Sequence, residues 1–169
     1  NDDWSGATAL FIPTKAKSLS STTQTKDYII LKVLEDVCTR LEFWKFDADA
    51  HTWSQQETEG DAVPVGQDVS VASTCRDCAA DNDLWLYRDG YLVPDALERA
   101  SAQDGCVGTV QIKSKPSMFN ADGLTVEQRF AASADGTRIP YFVIMKEGIP
   151  LDGSNAVLLD AYGGLEISM

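Results

Sequence analysis

Apolar and β-branched residues alternate with polar ones in short runs along the first 115 residues, and turn-forming residues separate the runs. Such period-two runs predict β-strands, and no long stretch in this region repeats at the helical period. The connection at residues 35–39 predicts a hairpin and opens a three-stranded meander. The predicted strands cover residues 28–34, 40–46, 53–57, 68–74, 84–87, 96–99 and 110–114. Spacings of about ten residues suit sandwiches, barrels and propeller blades alike, so periodicity leaves the architecture open.

The pattern changes near residue 115. Residues 116–123 are typical of a linker, and two apolar runs follow at residues 124–132 and 139–145. Between these runs stands Asp135-Gly136, which is a strong hairpin signal because glycine accepts the positive φ of a tight turn. This part of the chain therefore predicts a β-hairpin.

A continuous apolar run occupies residues 156–161, after a polar loop at residues 148–155. An uninterrupted apolar run predicts a strand buried on both faces, as in the interior of an α/β sheet. Tyr162, Gly163 and Gly164 follow directly. Two glycines at the end of such a strand would let a ligand approach the backbone closely.

The chain has 169 residues, 44% of them hydrophobic, which predicts a folded protein. Its formal net charge of -12 disfavours nucleic acid and anionic membranes as partners, and leaves peptides and neutral substrates open. No apolar run is long enough to span a bilayer. The chain starts without Met or a signal sequence, which indicates a start inside a coding sequence. The compartment is weakly constrained, with the cytoplasm slightly favoured over the periplasm or secretion, and the oligomeric state is open.

Four cysteines and a single histidine limit metal chemistry. Cys75 and Cys78 have the spacing of half a zinc site or of a redox pair, whereas Cys38, Cys106 and His51 stand apart in sequence. The residues after Cys78 indicate a loop, so loop thiols or a local disulfide are favoured over a metal or redox centre. We predict no metal and no cofactor.

Three motifs in order resemble the beginning of the catalytic domain of the prolyl oligopeptidase family. They are Ser-Ala-Asp-Gly-Thr-Arg-Ile-Pro at residues 133–140, Leu-Asp-Gly-Ser-Asn at residues 151–155, and Tyr-Gly-Gly at residues 162–164. Each motif is weak alone, but their order and spacing over residues 124–169 make coincidence a poor explanation. Upstream segments look like the later blades of the family's propeller.

The resemblance implies a mostly β fold, with a partial β-propeller followed by the first strands of an α/β-hydrolase domain. Residues 1–115 would form about two C-terminal blades, residues 116–123 a linker, and residues 124–169 the truncated start of the peptidase domain. Two blades cannot close a propeller ring, so this piece is expected to leave strand edges exposed.

In the family, the tyrosine of the Tyr-Gly-Gly motif helps to form the oxyanion hole, which assigns that catalytic role to Tyr162. Gly163, Gly164 and Leu165 would then bind substrate. The family usually has phenylalanine at the position of Leu165, so an aromatic wall of the proline pocket is lost. No Gly-x-Ser-x-Gly elbow occurs in the chain, and His51 is expected in a surface turn. The catalytic triad is therefore expected beyond Met169.

The resemblance thus implies a fragment of a serine oligopeptidase that hydrolyses short peptides, with cleavage after proline favoured. The fragment itself is expected to be inactive. Oligopeptidases with basic specificity and acylaminoacyl peptidases are close alternatives. A non-catalytic β-propeller binding module with a degenerate hydrolase part is an alternative of another class, as is a secreted all-β adhesion domain.

Overall fold

The computed structural model describes residues 6–56, 63–78 and 80–161. Within these residues all regular structure is β, and no helix that could cross a membrane occurs. Ten strands form three antiparallel sheets. They are β1 (Lys17–Gln24), β2 (Tyr28–Glu35), β3 (Cys38–Asp47), β4 (Thr52–Gln56), β5 (Gln67–Ser73), β6 (Asp83–Gly90), β7 (Ala96–Ser101), β8 (Val110–Ser114), β9 (Leu124–Ala132) and β10 (Arg138–Lys146).

The first sheet has the order β1-β2-β3-β4. The three-stranded meander predicted from sequence is confirmed as β2 to β4, whereas β1 is a strand that the sequence pattern does not predict. Only Leu19 is apolar within β1, so hydrophobic alternation gives no signal there. The strand forms because its backbone pairs with β2, with an irregularity between Leu19 and Ser21. Tertiary pairing therefore overrides the weak local pattern.

The second sheet has the order β5-β6-β7-β8, and all four of its strands lie where the sequence predicts them. The register shifts between Leu97 and Glu98, which is typical of a β-bulge in the outer part of a sheet.

The two sheets share one hydrophobic core. Phe43 and Leu84 are fully buried at its centre, one from each sheet. The other buried members are Tyr28, Ile30, Leu41, Val69, Leu86, Ala100, Ala102 and Cys106. Polar contacts add to this packing, because the Thr23 hydroxyl donates to the Val71 carbonyl at 2.8 Å. Four-stranded antiparallel meanders whose faces pack against each other are the units of a β-propeller. The predicted mostly β fold with a partial propeller is thus confirmed.

The third sheet is the predicted hairpin, in which β9 pairs with β10 alone. A five-residue connection joins the strands, and Gly136 there has φ +83°. The Ser133 N–H donates to the Thr137 carbonyl at 2.9 Å and closes the turn. The Asp-Gly signal therefore located the turn correctly, because the backbone needs a residue that tolerates positive φ.

The strand predicted at residues 156–161 is wrong for this structure. The segment has no strand assignment, and the side chains of Val157, Leu158 and Leu159 are 86%, 94% and 88% exposed. A strand of a buried sheet needs neighbours on both sides to pair with its N–H and C=O groups. No described strand pairs with this segment.

Candidate functional site

The site residues predicted from the family resemblance lie outside the described residues. Tyr162 is the predicted oxyanion donor, and Gly163, Gly164 and Leu165 are the predicted substrate contacts. The last residue that the structure describes is Ala161, which directly precedes Tyr162. Their roles therefore stay predictions. Within the described residues, the candidate site is a cavity between the sheets.

A cavity of about 480 Å³ lies where the three sheets meet. Lys32 and Thr39 line it from the first sheet, Asp68 from the second, and Phe142 from the hairpin. Tyr91, which follows β6, closes one wall, and its ring centroid lies 5.6 Å from that of Phe142. The cavity combines a polar floor with an aromatic wall.

Lys32 organises the polar floor. Its ammonium group donates to Asp68 Oδ2 at 2.6 Å and to the Ser70 hydroxyl at 3.1 Å. The Thr39 hydroxyl donates to the other oxygen of the Asp68 carboxylate. Lys32 is 8% exposed, so its charge is almost removed from water and needs these partners.

Neither Lys32 nor Asp68 belongs to a motif that predicts a site from the sequence. The sequence pattern nevertheless marks Lys32 as unusual. Ile30, Lys32 and Leu34 alternate along an apolar strand and therefore share one face of it. A charged residue in a buried-face position predicts a buried partner. The sequence alone could not say which carboxylate that partner would be.

Three groups that line the cavity have pKa values shifted from their ordinary values. Partial burial acts to raise the pKa of Asp68, but hydrogen bonds from Lys32 and Thr39 outweigh it and lower the pKa below its usual value. The pKa of Asp89 is raised by burial and by the negative charges of Asp68 and Asp95. Burial and the nearby Asp36 raise the pKa of the Cys38 thiol, which keeps the sulfur protonated. A protonated thiol is a poor nucleophile.

The remaining candidate groups do not assemble into a catalytic site in the described structure. His51 lies exposed in the β3–β4 turn as predicted, with its ring centroid 6.3 Å from that of Phe46. Ser154 lies in a loop and donates its hydroxyl to Asp152 at 2.6 Å. In the described structure the recorded partner of the His51 ring is Phe46 and that of the Ser154 hydroxyl is Asp152, so these two residues do not pair with each other.

Cys75 and Cys78 are free, half-buried thiols in the loop between β5 and β6, in agreement with the predicted loop. Among the residues that the structure describes, no group of three or more His, Cys, Asp or Glu side chains could hold a metal ion. The same loop also links the two sheets, because the Asp27 N–H donates to Asn82 Oδ1 at 3.0 Å.

Comparison with known proteins gives three relevant similarities. The chain is 36% identical over 160 residues to an uncharacterized peptidase of Sinorhizobium fredii, a match that covers 95% of this chain and 21% of that protein. A post-proline cleaving enzyme from Rickettsia typhi superposes with a TM-score of 0.60 at 20% identity, over 86% of this chain and 20% of the other. Prolyl oligopeptidase B from Galerina marginata, bound to a 35mer hydrolysis and macrocyclization substrate, gives a TM-score of 0.59 at 19% identity, over 85% and 19%. No family model matches the chain.

The chain spans about a fifth of the length of these proteins. The sequence relative and both solved structures belong by name to the class of proteolytic enzymes, and the solved structures share the fold of this chain. Within that class, the homologues and structural neighbours of the chain are peptidases of the prolyl oligopeptidase family, and the family resemblance seen in the sequence is confirmed.

Proposed function

We propose that this chain is part of a serine oligopeptidase that hydrolyses short peptides through an acyl-enzyme, with cleavage after proline favoured. The supporting observation is the 36% identity to a peptidase over 95% of the chain. Two consecutive four-stranded meanders that lead into the Asp-Gly hairpin agree with that match. Neighbours of the same fold act after proline or bind a peptide substrate, which supports peptides as the substrate class.

The proposed division of the chain follows the strands. Residues 1–115 would supply two blades of the propeller, residues 116–123 the linker, and residues 124–169 the first part of the peptidase domain. Residues 115–123 carry no strand, which suits a linker. The nearly complete exposure of Val157, Leu158 and Leu159 supports a further sheet in the parent protein, because contiguous apolar surface usually packs against another element.

Tyr162 would donate its hydroxyl to the oxyanion of the tetrahedral intermediate, and Gly163 and Gly164 would let the peptide approach the backbone. Leu165 would form an apolar wall of the pocket for the residue before the scissile bond. The triad serine, aspartate and histidine are assigned to sequence beyond this chain, which contains neither the serine elbow nor a second histidine.

The chemistry can be tested in the full-length parent protein. Tyr162→Phe removes one donor that acts mainly on the transition state, so kcat should fall by about 10²–10³-fold while KM changes little. Tyr141→Phe is the matched control, since Tyr141 is exposed on β10, and it should leave kcat unchanged. An unchanged kcat in Tyr162→Phe would remove Tyr162 from the oxyanion hole.

The assignment of the triad has its own test. The purified 169-residue chain should not hydrolyse a proline-containing chromogenic peptide, and turnover above a buffer blank would refute the assignment. A full-length parent that binds peptides but hydrolyses none would favour the non-catalytic binding module instead.

A further inference from the structure

The β9–β10 hairpin depends on something outside itself for its stability. It is a two-stranded sheet, and an isolated two-stranded sheet is at best marginally stable in water. Its strands nevertheless pair without interruption over nine residues each. Packing of one face against another element is the usual source of the missing stability, and the contacts identify that face.

The even-numbered face of the hairpin lies against the two blade-like sheets. Gln128 and Phe142 are cross-strand partners, so their side chains share this face. Gln128 Nε2 donates to the main-chain carbonyl of Asp36 at 2.6 Å, and the Phe142 ring lies 5.6 Å from the Tyr91 ring. Tyr141 projects from the opposite face and is 42% exposed.

Two further contacts fix the same face. A Cβ atom at Gly66 would lie 2.6 Å from Cγ1 of Val126, so the hairpin approaches the backbone there as closely as glycine allows. The Arg138 guanidinium lies 3.5 Å from the centre of the Phe130 ring and 3.9 Å from the Asp36 carboxylate. The contacts therefore spread along both strands rather than meeting at one point.

The turn that accepts Gln128 is strained. It joins β2 to β3 through Asp36 at φ +48° and Val37 at φ +64°. A β-branched residue rarely adopts this conformation, for which tight hairpins normally use Asn-Gly or Asp-Gly. The Asp36 N–H donates to the Ala16 carbonyl at 2.8 Å while its own carbonyl accepts from Gln128, so neighbouring elements hold the turn from two sides. Strain that surrounding contacts maintain often marks a functional position.

We propose that the 36–37 turn, Gly66 and Tyr91 form a docking site for the β9–β10 hairpin of the same chain. The docking site sets the orientation of the hairpin, so that the hairpin and the two blade-like sheets move as one body. A consequence that rests on the proposed function is that the first hairpin of the peptidase domain is anchored on the end of the propeller. The docking itself is independent of any catalytic activity.

The first test follows amide hydrogen exchange in the 169-residue chain, because exchange reports local opening element by element. Phe142→Ala removes the aromatic contact with Tyr91, and the β9 and β10 amides should lose protection by about fivefold to tenfold. The β2 and β3 amides should keep theirs. Tyr141→Ala is the matched control on the opposite face, and it should change hairpin exchange by less than about twofold.

The second test removes the hydrogen bond from Gln128 to Asp36, so that the result does not depend on Phe142→Ala alone. Gln128→Ala should raise exchange in β9 and β10 by about threefold to tenfold, since it deletes a hydrogen bond to a strained turn. Gln55→Ala is the same substitution at an exposed position of β4 and should have no effect on the hairpin.

The outcomes separate the proposal from its alternatives. Selective loss of hairpin protection in both Phe142→Ala and Gln128→Ala supports docking. Unchanged exchange in both variants would overturn it, as would loss spread evenly over all three sheets, which would assign Phe142 to the general core. None of these readouts depends on peptidase activity, so failure of the proposed function would leave the result intact.

Discussion

The inter-blade core and the β9–β10 hairpin are built from the same antiparallel pairing, but they hold together in different ways. In the core, Phe43, Ile30 and Leu84 are fully buried. In the described structure of β9 and β10, every residue is half-buried or exposed. The difference arises because each blade-like sheet has four strands and a second sheet over one face, whereas the hairpin has two strands and touches the other sheets through only a few described side chains. Pairing alone therefore does not create a core, and a second layer is required.

The largest expected effect is on the shared core. Phe43→Ala should lower the free energy of unfolding of the 169-residue chain by about 3–5 kcal/mol, because it removes a fully buried aromatic ring and leaves a cavity. Urea denaturation measures this. Phe46→Ala in the same strand is the control, since Phe46 is 41% exposed, and its cost should stay under about 1 kcal/mol. Equal costs would mean that the two sheets do not share a core.

The second-largest effect is expected at the Lys32–Asp68 ion pair, which joins the first sheet to the second. Lys32→Met should lower the free energy of unfolding by about 2 kcal/mol, less than for a fully buried pair because the Asp68 side chain is 44% exposed. Lys17→Met is the control, because it removes the more exposed ion pair with Glu35. It should change the free energy of unfolding by about 0.5 kcal/mol or less.

The Lys32–Asp68 pair also predicts a dependence on pH. The folded-state pKa of Asp68 is depressed, so its contribution is present above the unfolded value of about 4 and is lost as pH falls through the lower folded value. Lys32→Met should flatten that acid dependence. A slope identical to that of the unmodified chain would show that Asp68 does not titrate with folding.

The strained turn predicts a smaller effect of opposite sign. Val37→Gly should raise the free energy of unfolding by about 0.5–1 kcal/mol, because relief of the left-handed strain exceeds the added entropy of an unfolded glycine. Val65→Gly is the control at a turn position without positive φ, and it should lower stability by about 0.5–1 kcal/mol. A loss of stability in Val37→Gly would show that the Val37 side chain packs more favourably than its backbone is strained.

The smallest effect concerns the hairpin turn. Hydrogen bonds from the Ser133 hydroxyl and the Thr137 N–H lower the pKa of Asp135 to about 2. Ser133→Ala should raise the pKa of Asp135 toward its ordinary value of about 3.9, as read by an NMR titration of the carboxyl group. Ser154→Ala makes the equivalent change beside Asp152 and should leave Asp135 unaffected. The contribution of Asp135 to hairpin stability should be fully present above about pH 4 and be lost as the pH falls through about 2.

The sequence by itself determined the strands whose side chains alternate and the turns whose backbone needs glycine. The second sheet, the 28–56 meander and the Asp135-Gly136 turn could be predicted because their signals are local. The family resemblance likewise came from short motifs, and the Tyr162 role that it implies stays a prediction.

Only the tertiary structure decided which segments acquire neighbours. The mostly polar β1 forms a strand because its backbone pairs with β2. The apolar segment 156–161 has no described strand beside it and does not form a strand. Lys32 and Gln128 gained their roles in the same way, from partners 36 and 92 residues away in the chain. Backbone and side-chain hydrogen bonds in β structure link residues distant in sequence, so local patterns indicate the capacity to pair but not the partner.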